Sequence, residues 1–260
     1  MVTTPPESGA SPVSIEIIVP ARNEAGRLPD GLAALCQKAA ALPLRTAILV
    51  VDSASTDSTG ELVRAWPAGP VPVRLLHCPR PGKGLAVRTG LLATQAAFVG
   101  FCDADMATDL SALDTVVSLL TAGKPLVVGS RGLAASVVTV RHSAVRRGGA
   151  AVFRALARAA ALRLHTFGFA FDIELIAICQ RLGATLTEIP VRWQDMPGST
   201  FSVPRHSAAA LRDVAAIWLR QRAARTPEAA APAALVPDLL AAPQALPAAS
   251  QALPAGATTA

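Results

Sequence analysis

Short apolar runs alternate with helical stretches through the first half of this chain, and each run stops at a polar or charged residue. The runs are Ile15–Pro20, Thr46–Val51, Val73–His77, Phe98–Cys102 and Pro125–Val128. Runs of this length bounded by turn-formers predict buried strands. Helices are expected from Leu28-Pro29, where a proline in the first turn loses no needed N–H, and from the cap candidates Ser55–Thr59 to about Trp66. Two more are expected after Pro81-Gly-Lys-Gly84 and over 109–121. The β-α rhythm with short connections predicts an α/β fold, a mostly parallel sheet with helices on both faces. Ligands of such sheets bind beyond the C-terminal ends of the strands. Glu24, Asp52, Lys83, Asp103, Asp105 and Arg131 each follow a strand, so they are expected to share one rim.

The chemistry of that rim follows from its residue types. Asp103 and Asp105, one residue apart at a strand end, can converge on a hard cation and leave coordination sites for phosphate oxygens. The same acidic pair can instead cap the next helix. Lys83 sits between two glycines that let a backbone approach closely, which suits a phosphate contact; otherwise it is a solvated turn lysine. Asp52 can meet a ring N–H or a ribose hydroxyl, or cap the Ser55 turn. Arg131 can hold a diphosphate or an acceptor.

The remaining sequence bounds the rest. Hydrophobic residues make up 52% but aromatics only 4%, which predicts an aliphatic core. No apolar run approaches the ~20 residues of a membrane span, and Met1–Ser14 lacks the pattern of a signal peptide. Cys36, Cys78, Cys102 and Cys179 are widely spaced and read as small buried hydrophobes in a reducing cytoplasm. The net charge is +6, and no acidic residue falls between Gly132 and Phe171, where Arg141, Arg146, Arg147, Arg154, Arg158 and Arg163 lie. Such a block implies an anionic partner, phosphate or lipid headgroup. Nucleic acid is disfavoured because no stacking aromatics are interleaved.

The second half is less regular. A basic helical stretch is expected over 143–164 and a helix from Ala170 to Leu182. A strand is expected over Thr185–Trp193, with Pro190 marking a sheet edge, and a helix from Ser207 to Arg222. Residues 1–14 are expected to be a flexible leader, 15–222 one domain, and 223–260, Ala/Pro-rich, a disordered tail.

Ile18-Val-Pro-Ala-Arg-Asn-Glu24, Val50-Val-Asp-Ser-Ala-Ser-Thr-Asp57, Gly82-Lys-Gly-Leu-Ala-Val-Arg88, Asp103-Ala-Asp105 and Gly129-Ser-Arg131 follow one another as in the family 2 glycosyltransferases of the GT-A fold, which the chain resembles. Gly168-Phe-Ala-Phe-Asp-Ile-Glu174 and Glu188-Ile-Pro-Val-Arg-Trp193 are similar to its polyprenyl-phosphate branch, the dolichol-phosphate mannose synthase-like enzymes. The resemblance implies a nucleotide-sugar donor, GDP-mannose or UDP-glucose. Pro20, Ala21, Glu24 and Asp52 would line the nucleoside, with Lys83 and Arg88 also on the donor. Asp103, Ala104 and Asp105 would hold the sugar diphosphate, the two aspartates through Mg2+ or Mn2+. Asp105 and Arg131 would be catalytic, and Arg131, Arg146 and Arg147 would face the phosphate of a polyprenyl acceptor. The enzyme implied is peripheral to the inner face of the cell membrane. The alternatives are a soluble acceptor, or a nucleotide-sugar-binding protein without transfer. The chain departs from the branch in four places. Ser53 stands for the usual Asp or Asn, Ala150 for a serine and Ser199-Thr200 for Ser-Lys. An Asp-X-Gln-Cys-Gly-Phe-Lys segment is missing, so that Leu164–Phe167 runs directly into Gly168.

Overall fold

The structure is a computed structural model that describes residues 14–138, 147–194 and 203–223. The expected leader and tail, and Arg141 and Arg146 of the basic block, lie outside the described residues, apart from Ser14 and Ala223 at their edges. The first strands are β1 (Ile15–Ala21), β2 (Thr46–Ser53), β3 (Val73–Cys78) and β4 (Phe98–Phe101). They pair in parallel, β1 lying between β2 and β4 and β3 outside β2. Every residue of β1 and β2 is buried, as expected for strands covered on both faces.

The period of two along each strand sorts the core into layers. Ile18, Leu49 and Val51 point to one face, where α3 (Lys83–Ala93), α5 (Arg154–Leu162) and α6 (Phe171–Arg181) pack through Leu85, Val87, Leu156 and Leu175. Ile17, Val19, Ile48 and Val50 point to the other, against α1 (Leu28–Ala40) through Leu28, Leu32 and Leu35, and α2 (Thr59–Arg64) through Val63. Further along that face α4 (Ala112–Thr121) inserts Val117 and Leu120 beside Ile15 and Phe98.

The expected helix over 143–164 is corrected by the structure. Its first part is a strand, β7 (Arg147–Phe153), and only the second part is helical, as α5. β7 runs antiparallel between β4 and β5 (Leu126–Ser130), and the full sheet order is β3-β2-β1-β4-β7-β5-β8, with β8 (Leu186–Pro190) at the edge that Pro190 marks. Arg147-Gly-Gly-Ala-Ala-Val-Phe has no alternation, and alanine favours helix locally. Two flanking strands supply backbone partners on both sides, and that tertiary pairing overrides local preference. Beyond the sheet, β6 (Val137–Val138) pairs with β9 (Arg192–Trp193).

The arginines of α5 have local partners. Arg154 donates to the carbonyl of Gln95 at 2.5 Å and Arg158 to that of Leu92 at 3.2 Å. Both bonds fall at the C-terminal end of α3, where orphan carbonyls and the helix dipole favour cations. Among the described residues no helix is long and apolar enough to cross a membrane.

A buried carboxylate ties the last helix, α7 (Val203–Ala223), to the rest. Glu174, on α6, accepts from the backbone N–H of His165 at 3.1 Å and of Thr166 at 2.6 Å, and from Arg220 Nε of α7 at 3.0 Å. Arg220 also donates to Thr166 Oγ1. One side chain thus fixes the α5–α6 loop and α7 together. Glu174→Gln is expected to lower unfolding free energy by about 2 kcal/mol, since a buried carboxylate loses charge-assisted bonds from two N–H groups and a half-exposed arginine. Urea denaturation monitored by circular dichroism measures this, and an unchanged midpoint would show that the contact contributes nothing.

Candidate active site

The carboxyl ends of β1, β2, β4 and β5, with the N-terminus of α3, form one rim, and loop geometry there is set by specific bonds. The loops after β1 and β2 are latched to each other. Asn23 donates its backbone N–H to Ser55 Oγ at 3.0 Å, and its side-chain oxygen accepts from the N–H of Thr56 at 2.8 Å. Glu24 N–H donates to Thr59 Oγ1, and Ala25 N–H to Asp57 Oδ2. Burial pushes the Asp57 carboxyl up, but the bonds from Thr59 and Ala25 hold it below the usual carboxylate range. Asn23, Ala54 and Met106 have φ of 54°, 52° and 46°. Each lies in a loop after a different strand, β1, β2 and β4. Left-handed backbone at a non-glycine residue costs on the order of 1–3 kcal/mol and gathers at functional sites.

Asp52 is buried near the end of β2; its Oδ1 accepts from Ser55 N–H at 3.1 Å, and its Oδ2 lies 3.3 Å from His77 Nδ1. Both the expected turn cap and a position on the rim therefore hold for Asp52. Ser53, where the branch has an acid or amide, serves the glycine turn. Its Oγ accepts from Gly82 N–H at 3.0 Å and its hydroxyl faces the Arg80 carbonyl at 3.2 Å. Gly82, with φ of 148°, turns the chain into α3, a conformation that L side chains avoid. Lys83 then stands first in the helix, where backbone N–H groups and the helix dipole favour anions.

Lys83 is not a solvated turn lysine. Its Nζ lies 2.6 Å from Asp103 Oδ1, across from the end of β4. Asp105 Oδ1 accepts from Ala107 N–H at 3.2 Å, and the helix that follows starts only at Ala112. Asp105 also faces Glu24, whose carboxylate is gripped by both Nε and NH2 of Arg27 at 2.9 and 2.8 Å. Burial raises the Glu24 carboxyl, with Asp105 and Asp57 adding to the rise, against the Arg27 charge. The segment after the two aspartates is clamped by β9. Thr108 bridges Trp193, Gln194 N–H donates to the Ala107 carbonyl and Asp109 N–H to that of Arg192. Trp193 in turn carries the guanidinium of Arg131 on its ring face, 4.0 Å from the centroid.

The structure gathers Glu24, Lys83, Asp103 and Asp105 at this rim, with Pro20 and Ala21 ending β1 and Ala104 buried between the aspartates. Arg147 pairs through its backbone with Ser130 beside Arg131, and Arg146 lies outside the described residues. Arg88 takes a different direction, its Nε donating to the Ala161 carbonyl at 2.9 Å and joining α3 to α5. Asp172 stands beside this rim, at the start of α6 against the Lys83 turn, and was not singled out from the sequence. Burial raises its carboxyl, and its charge interacts with both Lys83 and Asp103. Its signal was its place in Gly-Phe-Ala-Phe-Asp, read only as a resemblance. Behind the rim, an apolar cavity of about 80 Å³ separates α4 from the sheet, where Gly100 and Gly129 contribute no side chain.

Three comparisons bear on this geometry. Residues 16–171, more than half of the chain, match the glycosyl transferase family 2. A dolichyl-phosphate beta-glucosyltransferase of Drosophila melanogaster is 31% identical over 256 residues, covering 84% of this chain and 78% of that protein. One of Dictyostelium discoideum is 27% identical over 80% of this chain and 75% of its own. Among solved structures, glucosyl-3-phosphoglycerate synthase from Mycobacterium tuberculosis with UDP superimposes with a TM-score of 0.58 at 21% identity, covering 80% of both chains. The same synthase with Mn2+, UDP and glucosyl-3-phosphoglycerate gives 0.56 at 20% identity, again over 80% of each. A GT-A fold whose strand ends carry this aspartate pair, a family match across more than half the sequence, and a relative sharing nearly a third of its residues agree: the chain belongs to glycosyl transferase family 2 and is a glycosyltransferase.

Proposed function

We propose that this enzyme transfers glucose from UDP-glucose to the phosphate of a polyprenyl, dolichyl-type lipid at the inner face of the cell membrane. The observation that carries the chemistry is the Lys83–Asp103 pair at 2.6 Å, one residue from Asp105 and within the field of Asp172. It supplies a cation and acceptor-rich carboxylates where a sugar diphosphate must lie. The choice of glucose and of a lipid phosphate rests on the relatives named above.

In this reading the latched loops after β1 and β2, with Pro20, Ala21 and Asp52, form the nucleoside wall, and their fixed geometry avoids ordering costs on binding. Lys83 and the N-terminus of α3 take the diphosphate. Asp103 and Asp105 are oxygen donors of the kind that suit Mg2+ or Mn2+, and a family-fold neighbour holds Mn2+ with UDP. Among the described residues no three such side chains gather tightly enough to hold a metal by themselves, so a bound cation would share the oxygens of the donor. When bound there it neutralises charge developing on the leaving diphosphate. Arg131, braced on Trp193 at the end of β5, takes the acceptor side.

The reaction joins an acceptor phosphate oxygen to the anomeric carbon. The bond from that carbon to the diphosphate breaks, and the nucleoside diphosphate leaves with the electron pair. A phosphate acceptor is already ionised at neutral pH, so no strong base is required and catalysis comes from placement and charge stabilisation.

Labelled UDP-glucose incubated with the full chain, divalent metal and polyprenyl phosphate is expected to yield organic-soluble label. Water-soluble product would overturn the lipid acceptor, and binding without transfer would overturn the activity. Asp105→Asn is expected to lower kcat by about two to three orders of magnitude at saturating metal while leaving thermal unfolding unchanged. Near-normal turnover would remove Asp105 from the metal site. Lys83→Met is expected to lower kcat by ~10²-fold, as loss of one charge-stabilising donor does elsewhere, and to weaken UDP-glucose binding in calorimetry. Unchanged donor affinity would place Lys83 outside the diphosphate site.

A further inference from the structure

We infer that the outer face of α7, together with the α5–α6 loop, is a docking surface for an anionic lipid bilayer, joined by packed atoms to the Lys83 end of the rim. The inference rests on the lipid-acceptor reading but concerns a surface outside the catalytic residues.

The helix has two faces. Ile217 is buried, Asp213 is largely covered, and Arg220 is tied to Glu174, so residues 213, 217 and 220 turn inward. On the opposite side Leu211 is 71% exposed, Val214 38%, Trp218 56% and Leu219 59%. The spacing i, i+3, i+7, i+8 places these four side chains on one stripe. Single exposed apolar residues need no explanation, but a contiguous stripe with a tryptophan does. Arg212 flanks it, and the Arg222 guanidinium lies 5.2 Å from the Trp218 ring centroid. An apolar stripe edged by arginines, with an indole whose polar N–H suits a wet boundary, matches the headgroup–acyl interface of an anionic membrane. Arginine stems can lie on the apolar zone while their heads reach phosphates.

The link to the rim is direct. The Phe167 carbonyl accepts from Gly84 N–H at 2.9 Å, one residue after Lys83. A Cβ on Gly84 would fall 2.8 Å from the Thr166 carbonyl and 2.5 Å from Phe171 Cβ, so the loop is pressed onto the lysine turn. On its other side Thr166 meets Arg220, and a Cβ on Gly168 would fall 3.1 Å from Asp213 Oδ2. The loop is thus wedged between the Lys83 turn and α7. Phe167 and Phe169 are exposed on that same loop. Apolar groups for the acyl boundary and the cationic end of the rim belong to one continuous piece of structure.

The test uses the full chain and vesicles of either phosphatidylcholine alone or equal parts phosphatidylcholine and phosphatidylglycerol. Wild-type protein is expected to sediment with the mixed vesicles, with its tryptophan fluorescence quenched by brominated acyl chains. Trp218→Phe is expected to keep binding but lose most of that quenching, since Trp193 is buried and Trp66 packs with the α1–α2 core on the opposite face of the sheet. Leu211→Ser with Leu219→Ser is expected to weaken partitioning at least about tenfold, as the loss of two buried leucines implies. UDP-glucose affinity in lipid-free buffer and thermal unfolding are expected to be unchanged, because both residues are outside the donor site and on the solvent side of the helix. Equal sedimentation of the double variant and wild type would overturn the inference. So would a lipid-free dimer that the double variant dissolves, which would make a second copy the occupant of this face. Vesicle binding without glucosylation of polyprenyl phosphate would keep the docking surface and remove the lipid-acceptor reading instead.

Discussion

A parallel sheet buried on both faces has few places where polar chemistry can be exposed, and the ends of its strands are the chief one. β1 and β2 have no solvent-facing residue, and their neighbours are covered by α3, α5 and α6 on one side and by α1, α2 and α4 on the other. Backbone groups left unpaired where parallel strands stop must be met by loop side chains, by helix N-termini or by ligands. That constraint assembles Glu24, Asp52, Lys83, Asp103 and Asp105 from segments distant in sequence. It also explains why left-handed Asn23, Ala54 and Met106 fall in three different loops at the same end. The sheet and its helices supply the stability against which that local strain is held.

The rim is divided by charge. Toward β1 and β2, the loops after the strands satisfy one another through Asn23, Ser55, Asp57 and Thr59, which makes a preformed wall. Toward β4 and the N-terminus of α3, carboxylates and cations are interleaved. Asp103 is paired with Lys83, Glu24 is gripped by Arg27, and Asp172 sits half-buried within the field of the Lys83–Asp103 pair. Burial raises the Glu24 and Asp172 carboxyls, the nearby acids add to the rise, and the neighbouring cations offset part of it.

The short α5–α6 loop has an importance out of proportion to its length. The branch that the chain resembles has an additional segment here, and its absence does not leave a gap. Glu174 fixes the N–H groups of His165 and Thr166, Phe167 closes onto Gly84, and Arg220 holds α7 against the same turn. The Lys83 turn and the last helix are therefore neighbours through a wedge of a few residues.

The sequence by itself determined the β-α rhythm, the shared rim, the Asp103–Asp105 pair and the edge position of Pro190. These are local signals: apolar runs of strand length, polar residues at their ends, and a proline that cannot donate to a ladder. It also placed Lys83 between glycines, though not its 2.6 Å contact with Asp103. Tertiary structure alone decided the rest. β7 is a strand because β4 and β5 leave a vacancy between them whose backbone groups need partners, while its own glycines and alanines carry no strand period. Arg88, Arg154 and Arg158 suggested anion contacts by charge, yet they meet carbonyls that folding brings beside them. Asp172 comes to the rim because α6 starts beside the Lys83 turn, and Glu174 becomes a buried hub only when α7 arrives with Arg220. A residue's chemistry is written in its side chain, but its partner is set by chain segments far away in sequence, and only packing brings those together.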